Sequence, residues 1–317
     1  MEVARMKPKR ILQSENARLL EDFRKDCTLR KITTTERYVG DTARFMSWAE
    51  TMSLDPLKTT RRELKEYTYY LTEQGVIHAT LKLNFAHINA FFDYLEAEEL
   101  IESNPVPNFR KRHIRAYKSE AESQKRQIID IEQAAMLVGT ILESRDRAIM
   151  LLLLKCGLRC HELCELNVED IDLEKLILNV HPSQKRSNRE LFFDYETAEA
   201  LRRWLTVRSL RRGADSKALF ISASGDRIAQ TRVRTICRRA ATRAGLHDPQ
   251  SERLDKKFTP HCCRHWFTTR LIEAGMPRDY VKELRGDARR EAIDIYNHID
   301  KKMLKESYLT CMPQLGV

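Results

Sequence analysis

Glycine and proline are scarce in this chain, 10 and 9 of 317 residues. Few breakers of regular backbone, together with 32% charged residues, suit a helix-rich soluble protein. No apolar run approaches the ~20 residues of a membrane span, so no membrane segment is expected. The start, MEVARMKPKRILQSENARLL, lacks the continuous apolar stretch of a secretory signal. A cytoplasmic location is therefore expected, and the eight cysteines are expected to stay reduced. No acidic cluster suggests a catalytic metal, and no P-loop suggests a nucleotide. The sequence thus calls for no cofactor. Cys156, Cys160 and Cys164 recur every four residues around His161. That spacing matches no common zinc pattern, and core cysteine is the simpler reading.

What the chain does have is positive charge. Formal net charge is +10, which points to a polyanion partner, nucleic acid above all. The length suffices for two domains. Residues 15–103 read as four or five helices. Tyr38, Phe45, Ala49 and Met52 share one face, as do Leu64, Tyr67 and Leu71, and also Leu81, Phe85, Ile88, Phe92 and Leu95. Thr59 or Thr60 can cap the third helix, with Glu63 near its third position.

After two prolines, seven Lys/Arg and two Glu fill residues 105–127 with no apolar period. This reads as an extended basic linker that lets two domains close on a rod-shaped polyanion like a clamp. The expected division is a helical domain over 1–105, a linker over 106–127 carrying Arg110, Lys111 and Arg112, and a second domain over 128–317.

The second domain opens with two apolar helices, DIEQAAMLVGTILES and RDRAIMLLLLKCG, the latter ending at Gly157. LILNVH and RELFFD flank PSQKRSN as a hairpin with a basic tip that carries Lys185 and Arg186. ALFIS at 218–222 is a candidate third strand. RVRTICRRAATRAG is a helix carrying Arg232, Arg234, Arg238, Arg239 and Arg243 and no acid, which favours phosphate contact.

Four stretches fall in a telling order. GLRCHEL carries Arg159 and Glu162, the hairpin tip carries Lys185, and HCCRHWFTT carries His261, Arg264 and His265. LRGDARREAIDIYNHID carries Asp287, Tyr296 and His298. Together they resemble the tyrosine recombinase (phage integrase) family. Its motifs run G-[LM]-R-x-x-E-L, H-x-L-R-H-[ST]-F-A-T, and L-G-H followed, after eight intervening residues, by the tyrosine of Y-T-H. Cys263 stands for the usual leucine, and RGD stands for LGH, a departure that resembles archaeal members more than bacterial ones. The likeness runs from about residue 20 onward.

The resemblance implies a mainly α fold: an N-terminal helical, SAM-like core-binding domain, then a mostly α catalytic domain with a small antiparallel sheet. It implies a site-specific recombinase, with mobile-element integrase as the first reading. An Xer-type dimer resolvase shares the chemistry, and a non-catalytic DNA-binding regulator could use the same scaffold. The implied partners are double-stranded DNA with an inverted-repeat core site, further copies of the chain in a synaptic tetramer, and possible accessory factors, with no membrane.

The chemistry suits the residue types. A tyrosine can attack a backbone phosphate and leave a covalent phosphotyrosine. Two arginine forks can hold the non-bridging oxygens where charge gathers. A lysine can protonate the departing 5′ oxygen, and a histidine can shuttle the phenol's proton. A helix start offers backbone N–H groups to the same anion, which accounts for His261 and Arg264 at one. The expected catalytic set is Arg159, Lys185, His261, Arg264, Asp287 and Tyr296, supported by Glu162, His265 and His298. Asp287 replaces the family's usual His or Trp. An ionised carboxylate beside a phosphodiester is repulsive unless an arginine partners it, so Asp287 is expected to orient a nearby arginine. In the terminal segment, apolar Met303, Leu304, Tyr308 and Leu309 can pack on a neighbouring protomer or fold back on their own domain.

Overall fold

The computed structural model describes residues 14–114, 127–181, 189–251, 253–287 and 299–317. Two compact units divide the chain, Met1–Glu120 and Ala121–Val317.

The first unit is helical: α1 (Ser14–Leu29), α2 (Thr35–Thr51), α3 (Arg61–Glu73), α4 (His78–Ala97) and the short α5 (Val106–Phe109). The anticipated faces form its core. Phe45, Ala49, Leu64, Tyr67, Leu71, Phe85, Ile88, Phe92 and Leu95 are all buried. Their rings meet edge-on, as in Phe45 against Tyr67 at 5.2 Å, the arrangement aromatic quadrupoles favour. Met52 departs from the pattern. It follows the last turn of α2 and is 53% exposed. Thr60 caps α3 as expected: its Oγ1 accepts from Arg62 N, and its own N–H donates to Glu63 Oε2 at 2.7 Å.

The expected linker needs correction at its start. Residues 106–109 are helical, and 110–114 continue as a π-type turn. Val106, Phe109 and Ile114 are buried in the first unit's core, and Phe109 stacks on Phe85 at 5.4 Å. Three apolar side chains beside Arg110, Lys111 and Arg112 suffice to fold this segment onto the bundle. Arg110, Lys111 and Arg112 lie on its outer side, the first half-buried and the others exposed.

The second unit is built around α7 (Ser144–Cys156), whose residues Ala148 to Cys156 are all buried. A helix apolar on every side belongs at the centre of a domain, and each buried leucine there contributes about 1.5–3 kcal/mol. Around it lie α6 (Ile131–Gly139), α8 (Cys160–Glu165), α9 (Tyr195–Ser209), α10 (Gln230–Arg243), α11 (Pro260–Glu273), α12 (Arg278–Arg285) and α13 (Lys301–Cys311).

A three-stranded antiparallel sheet runs in the order β1 (Ile171–Asp172), β2 (Ile177–Val180), β3 (Arg189–Phe192), with Val180 opposite Arg189. β2 and β3 are the stems of the expected hairpin. The third strand is β1 rather than 218–222. Ala218 and Ile221 make only isolated bridges, to Asn167 and Arg227. Residues 218–221 are buried on both sides, and side chains take several of their carbonyls. Arg208 donates to Ala218 O, Trp204 Nε1 to Leu219 O, and Arg145 to Ile221 O.

The C-terminal segment folds back on its own unit, with Leu304, Tyr308, Met312 and Leu315 in the core. Met303 remains 58% exposed and Leu309 37%. The buried Lys155 ammonium fastens this tail. It donates to Asp194 Oδ2 (2.5 Å), Glu196 Oε2 (2.9 Å) and Pro313 O (2.6 Å). Glu196 in turn accepts from the N–H groups of Leu315, Gly316 and Val317.

Candidate active site

The site begins where α7 stops. Gly157 ends the helix in left-handed backbone, φ 60°. A Cβ there would lie 2.4 Å from the Phe267 ring of α11, so only glycine lets the two helices approach. The chain then turns extended at Arg159, which precedes α8. Glu162, in the first turn of α8, accepts from Arg159 N (2.7 Å) and from Arg159 Nη1 (3.0 Å).

Arg264 lies on α11, one turn beyond Pro260, and is 3% exposed. Its fork donates to two helix-terminal carbonyls, Gly157 O after α7 and Arg285 O at the end of α12, both at 2.6 Å. Helix C-termini carry unsatisfied carbonyls and the negative end of the dipole, so they hold a cation well. Arg159 Nη1 reaches the same Arg285 carbonyl at 3.3 Å. One peptide oxygen thus gathers the two arginines that the motifs singled out. Burial, then the charges of Arg159, Arg285 and Arg189, push the Arg264 pKa down to about 9, with Glu162 opposing. A guanidinium still keeps its proton at neutral pH.

α12 ends at Gly286, again left-handed at φ 59°. Asp287 follows and faces three arginines: Arg285 Nε at 3.3 Å, Arg264 Nη2 at 3.6 Å and Arg159 Nη2 at 3.8 Å. The sequence anticipated a neighbouring arginine as its partner. The structure brings Asp287 to Arg285 and, beyond that, to both motif arginines.

None of the motifs singles out Arg189. Arg189 of β3 is buried, and its two η nitrogens bind both Glu162 oxygens at 3.1 and 2.8 Å. Burial disfavours the Glu162 carboxylate. The bonds and charge of Arg189, then those of Arg159, outweigh it and hold the Glu162 pKa at about 2. A buried arginine at an inward-facing strand position was the available signal, because such a charge must meet a carboxylate. Four guanidinium groups here share two carboxylates, so the site is cationic and suited to an anion.

His261 and His265 sit one turn apart on α11, rings edge to face with centroids 4.7 Å apart. Lys185, Arg186, Tyr296 and His298 lie outside the described residues. The arginines of α10 and its apolar residues divide between two faces. Arg232, Arg234, Arg238, Arg239 and Arg243 are exposed, and Val233, Ile236, Cys237, Ala240 and Ala241 are buried. Among the described residues, none of these five arginines has a carboxylate within ion-pair distance. Cys156 is buried and its thiol donates to Phe192 O. No helix among the described residues is long and apolar enough to cross a membrane.

Two arginine forks pinned by helix ends thus form a cationic site on a mostly helical scaffold. Comparison with known proteins sharpens this. The phage integrase family model matches residues 121–303. The chain is 34% identical over 256 residues to tyrosine recombinase XerC of Alcanivorax borkumensis, covering 78% of each protein. It is 28% identical over 285 residues to XerC of Thermodesulfovibrio yellowstonii, covering 87% of this chain and 88% of that one. Among solved structures, the XerH site-specific recombinase bound to a palindromic difH substrate has the same fold, with TM-score 0.68, 20% identity, and 91% and 82% of the two chains covered. The Tn1549 transposon integrase in complex with a circular intermediate DNA follows at TM-score 0.66, 19% identity, and 88% and 97% covered. The chain belongs to the phage integrase family, the tyrosine recombinases, and its activity is site-specific recombination.

Proposed function

We propose that this recombinase cleaves and rejoins double-stranded DNA through a 3′-phosphotyrosine formed on Tyr296. The observation that carries this reading is the cationic site built on Arg159 and Arg264, both fixed by the Arg285 carbonyl. Their guanidinium groups hold the non-bridging oxygens of the scissile phosphate as charge builds in the transition state. The Tyr296 oxygen attacks phosphorus while the bond to the 5′ oxygen breaks. An ordinary phenol has a pKa near ~10, so it needs a group to take its proton. His261 fills that role, with His265 edge-on to its ring orienting it. Lys185 gives a proton to the departing 5′ oxygen. Attack of a 5′ hydroxyl on the phosphotyrosine then reseals a strand and frees Tyr296. The phosphotyrosine conserves the bond's free energy, so ATP is not needed. The arginines supply the positive charge that metal ions supply elsewhere.

Arg232, Arg234, Arg238 and Arg239 of α10, with Arg110, Lys111, Arg112 and Arg186, track the DNA backbone. Paired inverted-repeat core sites call for a tetramer in the synaptic complex, with accessory factors setting direction. The reading is tested by incubating the full chain with a duplex nicked near the crossover, with and without excess EDTA. A covalent adduct in both is expected. An adduct that requires added Mg²⁺ or Zn²⁺ refutes the metal-free mechanism.

Integration joins two unlike sites, and that is the first reading. A dimer resolvase is the second, favoured by the 34% identity to a protein named XerC. Mapping the recombined sites separates them, because resolution uses identical sites.

A further inference from the structure

We infer that Arg189 is a positioning residue whose charge keeps Arg159 available to the substrate phosphate by neutralising Glu162. The inference rests on the reading of Arg159 as a phosphate ligand. Arg189 stands at the start of β3, opposite Val180, and its side chain is 4% exposed. It meets both Glu162 oxygens, and its Nε donates to Leu284 O in α12 at 3.2 Å. The path of this side chain depends on Gly286. A Cβ at 286 would lie 2.8 Å from both Arg189 Cδ and Nη1. Arg189 therefore ties together β3, the first turn of α8 and the turn that presents the Arg285 carbonyl and Asp287.

The electrostatic consequence follows from the shared carboxylate. Glu162 lies between two guanidinium groups, Arg159 Nη1 on one side and the Arg189 fork on the other. A bidentate fork is the stronger claim on a carboxylate. With Arg189 present, the Glu162 charge is met from the strand side, and Arg159 is oriented without being neutralised. Without Arg189, the buried carboxylate would lean more heavily on Arg159. The pair would then close on itself and weaken the hold on a third, anionic party. Arg189 thus acts through Glu162 and the α12 turn, without touching the reacting atoms.

The test uses the full chain and two readouts: orthovanadate affinity from thermal-shift titration, and the rate of adduct formation on a nicked duplex. Arg189→Gln should lower both by ~10–100-fold, the scale at which support residues act. Arg189→Gln combined with Glu162→Gln should recover at least ~10-fold of that loss, because removing the carboxylate's charge relieves Arg159. Arg189→Lys keeps the charge but loses the fork, so it should bind orthovanadate within ~3-fold of the parent even if it melts earlier. A merely structural role predicts the opposite: the double variant no better than Arg189→Gln, and Lys as damaging as Gln. Either result overturns the proposal, as does unchanged behaviour of Arg189→Gln or failure of the parent to bind orthovanadate. If the orthovanadate pattern holds while the parent forms no adduct, the DNA-cleavage reading fails and the role of Arg189 stands.

Discussion

Replacing Asp287 probes the balance of charge at the site. Its carboxylate lies 3.3, 3.6 and 3.8 Å from the nitrogens of Arg285, Arg264 and Arg159. These separations are long for charge-assisted hydrogen bonds, which run ~2.7–2.9 Å. The interaction is therefore mainly Coulombic. One pair at ~3.6 Å in an effective dielectric of ~20 gains on the order of 4–5 kcal/mol. Asp287 is 33% exposed, and solvent and the sharing of one carboxylate reduce the net contribution to about 1–2 kcal/mol. For a unit of this size, Asp287→Ala should lower Tm by roughly 3–6 °C. Adduct formation should slow by ~10–100-fold as Arg285, whose carbonyl fixes Arg159 and Arg264, loses the carboxylate nearest its side chain. Because charge matters more than shape, Asp287→Asn should resemble Asp287→Ala, and Asp287→Glu should be milder than both. Calorimetry and single-turnover cleavage on a nicked duplex check these outcomes together. Faster cleavage by Asp287→Ala would refute the reasoning, because Asp287 would then be an inhibitory charge beside the phosphate.

The remaining predictions touch other parts of the molecule. Gly157→Ala forces a left-handed alanine, costing roughly 1–2 kcal/mol, against a ring 2.4 Å away. It should lower Tm and abolish cleavage together, and unchanged melting would contradict the close approach of α7 and α11. In the folded chain Glu162 and Glu196 both have depressed pKa values. Their stabilisation is complete above the unfolded glutamate pKa of ~4.3 and is lost as pH falls toward their folded values. An acid titration of Glu196→Gln, followed by circular dichroism, should show a smaller loss over that window than the parent. Arg232, Arg238 and Arg239 changed together to Ala should flatten the slope of log K against log salt by roughly 2–3 if each meets a DNA phosphate. An unchanged slope would mean that the exposed face of α10 meets only water.

Much of this was legible in the sequence because it rests on local patterns. The helical spacing of Leu81, Phe85, Ile88, Phe92 and Leu95, the Thr60–Glu63 cap and the glycine stop at 157 are each local in the chain, and each appears in the fold. The arginines of the two motifs, 105 residues apart, were legible as motif members. That they converge on the Arg285 carbonyl was not, because convergence depends on where three helices end. The strand expected at 218–222 failed for a related reason. Its apolar run signals burial equally well in an irregular segment whose carbonyls are met by Arg208 and Trp204. The basic stretch after residue 105 read as linker because charge outnumbered apolar side chains. Val106, Phe109 and Ile114 were enough to fold its beginning. Arg189 went unassigned because its partner, Glu162, is 27 residues away.

The central claim is that Tyr296 attacks DNA, and covalent trapping tests it most directly. The full chain is incubated with a duplex nicked near the crossover, and the adduct is digested and mapped by mass spectrometry. The account predicts a nucleotide on Tyr296 in the parent. Tyr296→Phe, which removes only the nucleophilic oxygen, should give no adduct while retaining DNA affinity within ~10-fold of the parent, because one hydroxyl's hydrogen bond contributes about 0.5–1.5 kcal/mol net. An adduct on another residue, or one that persists in Tyr296→Phe, would contradict it.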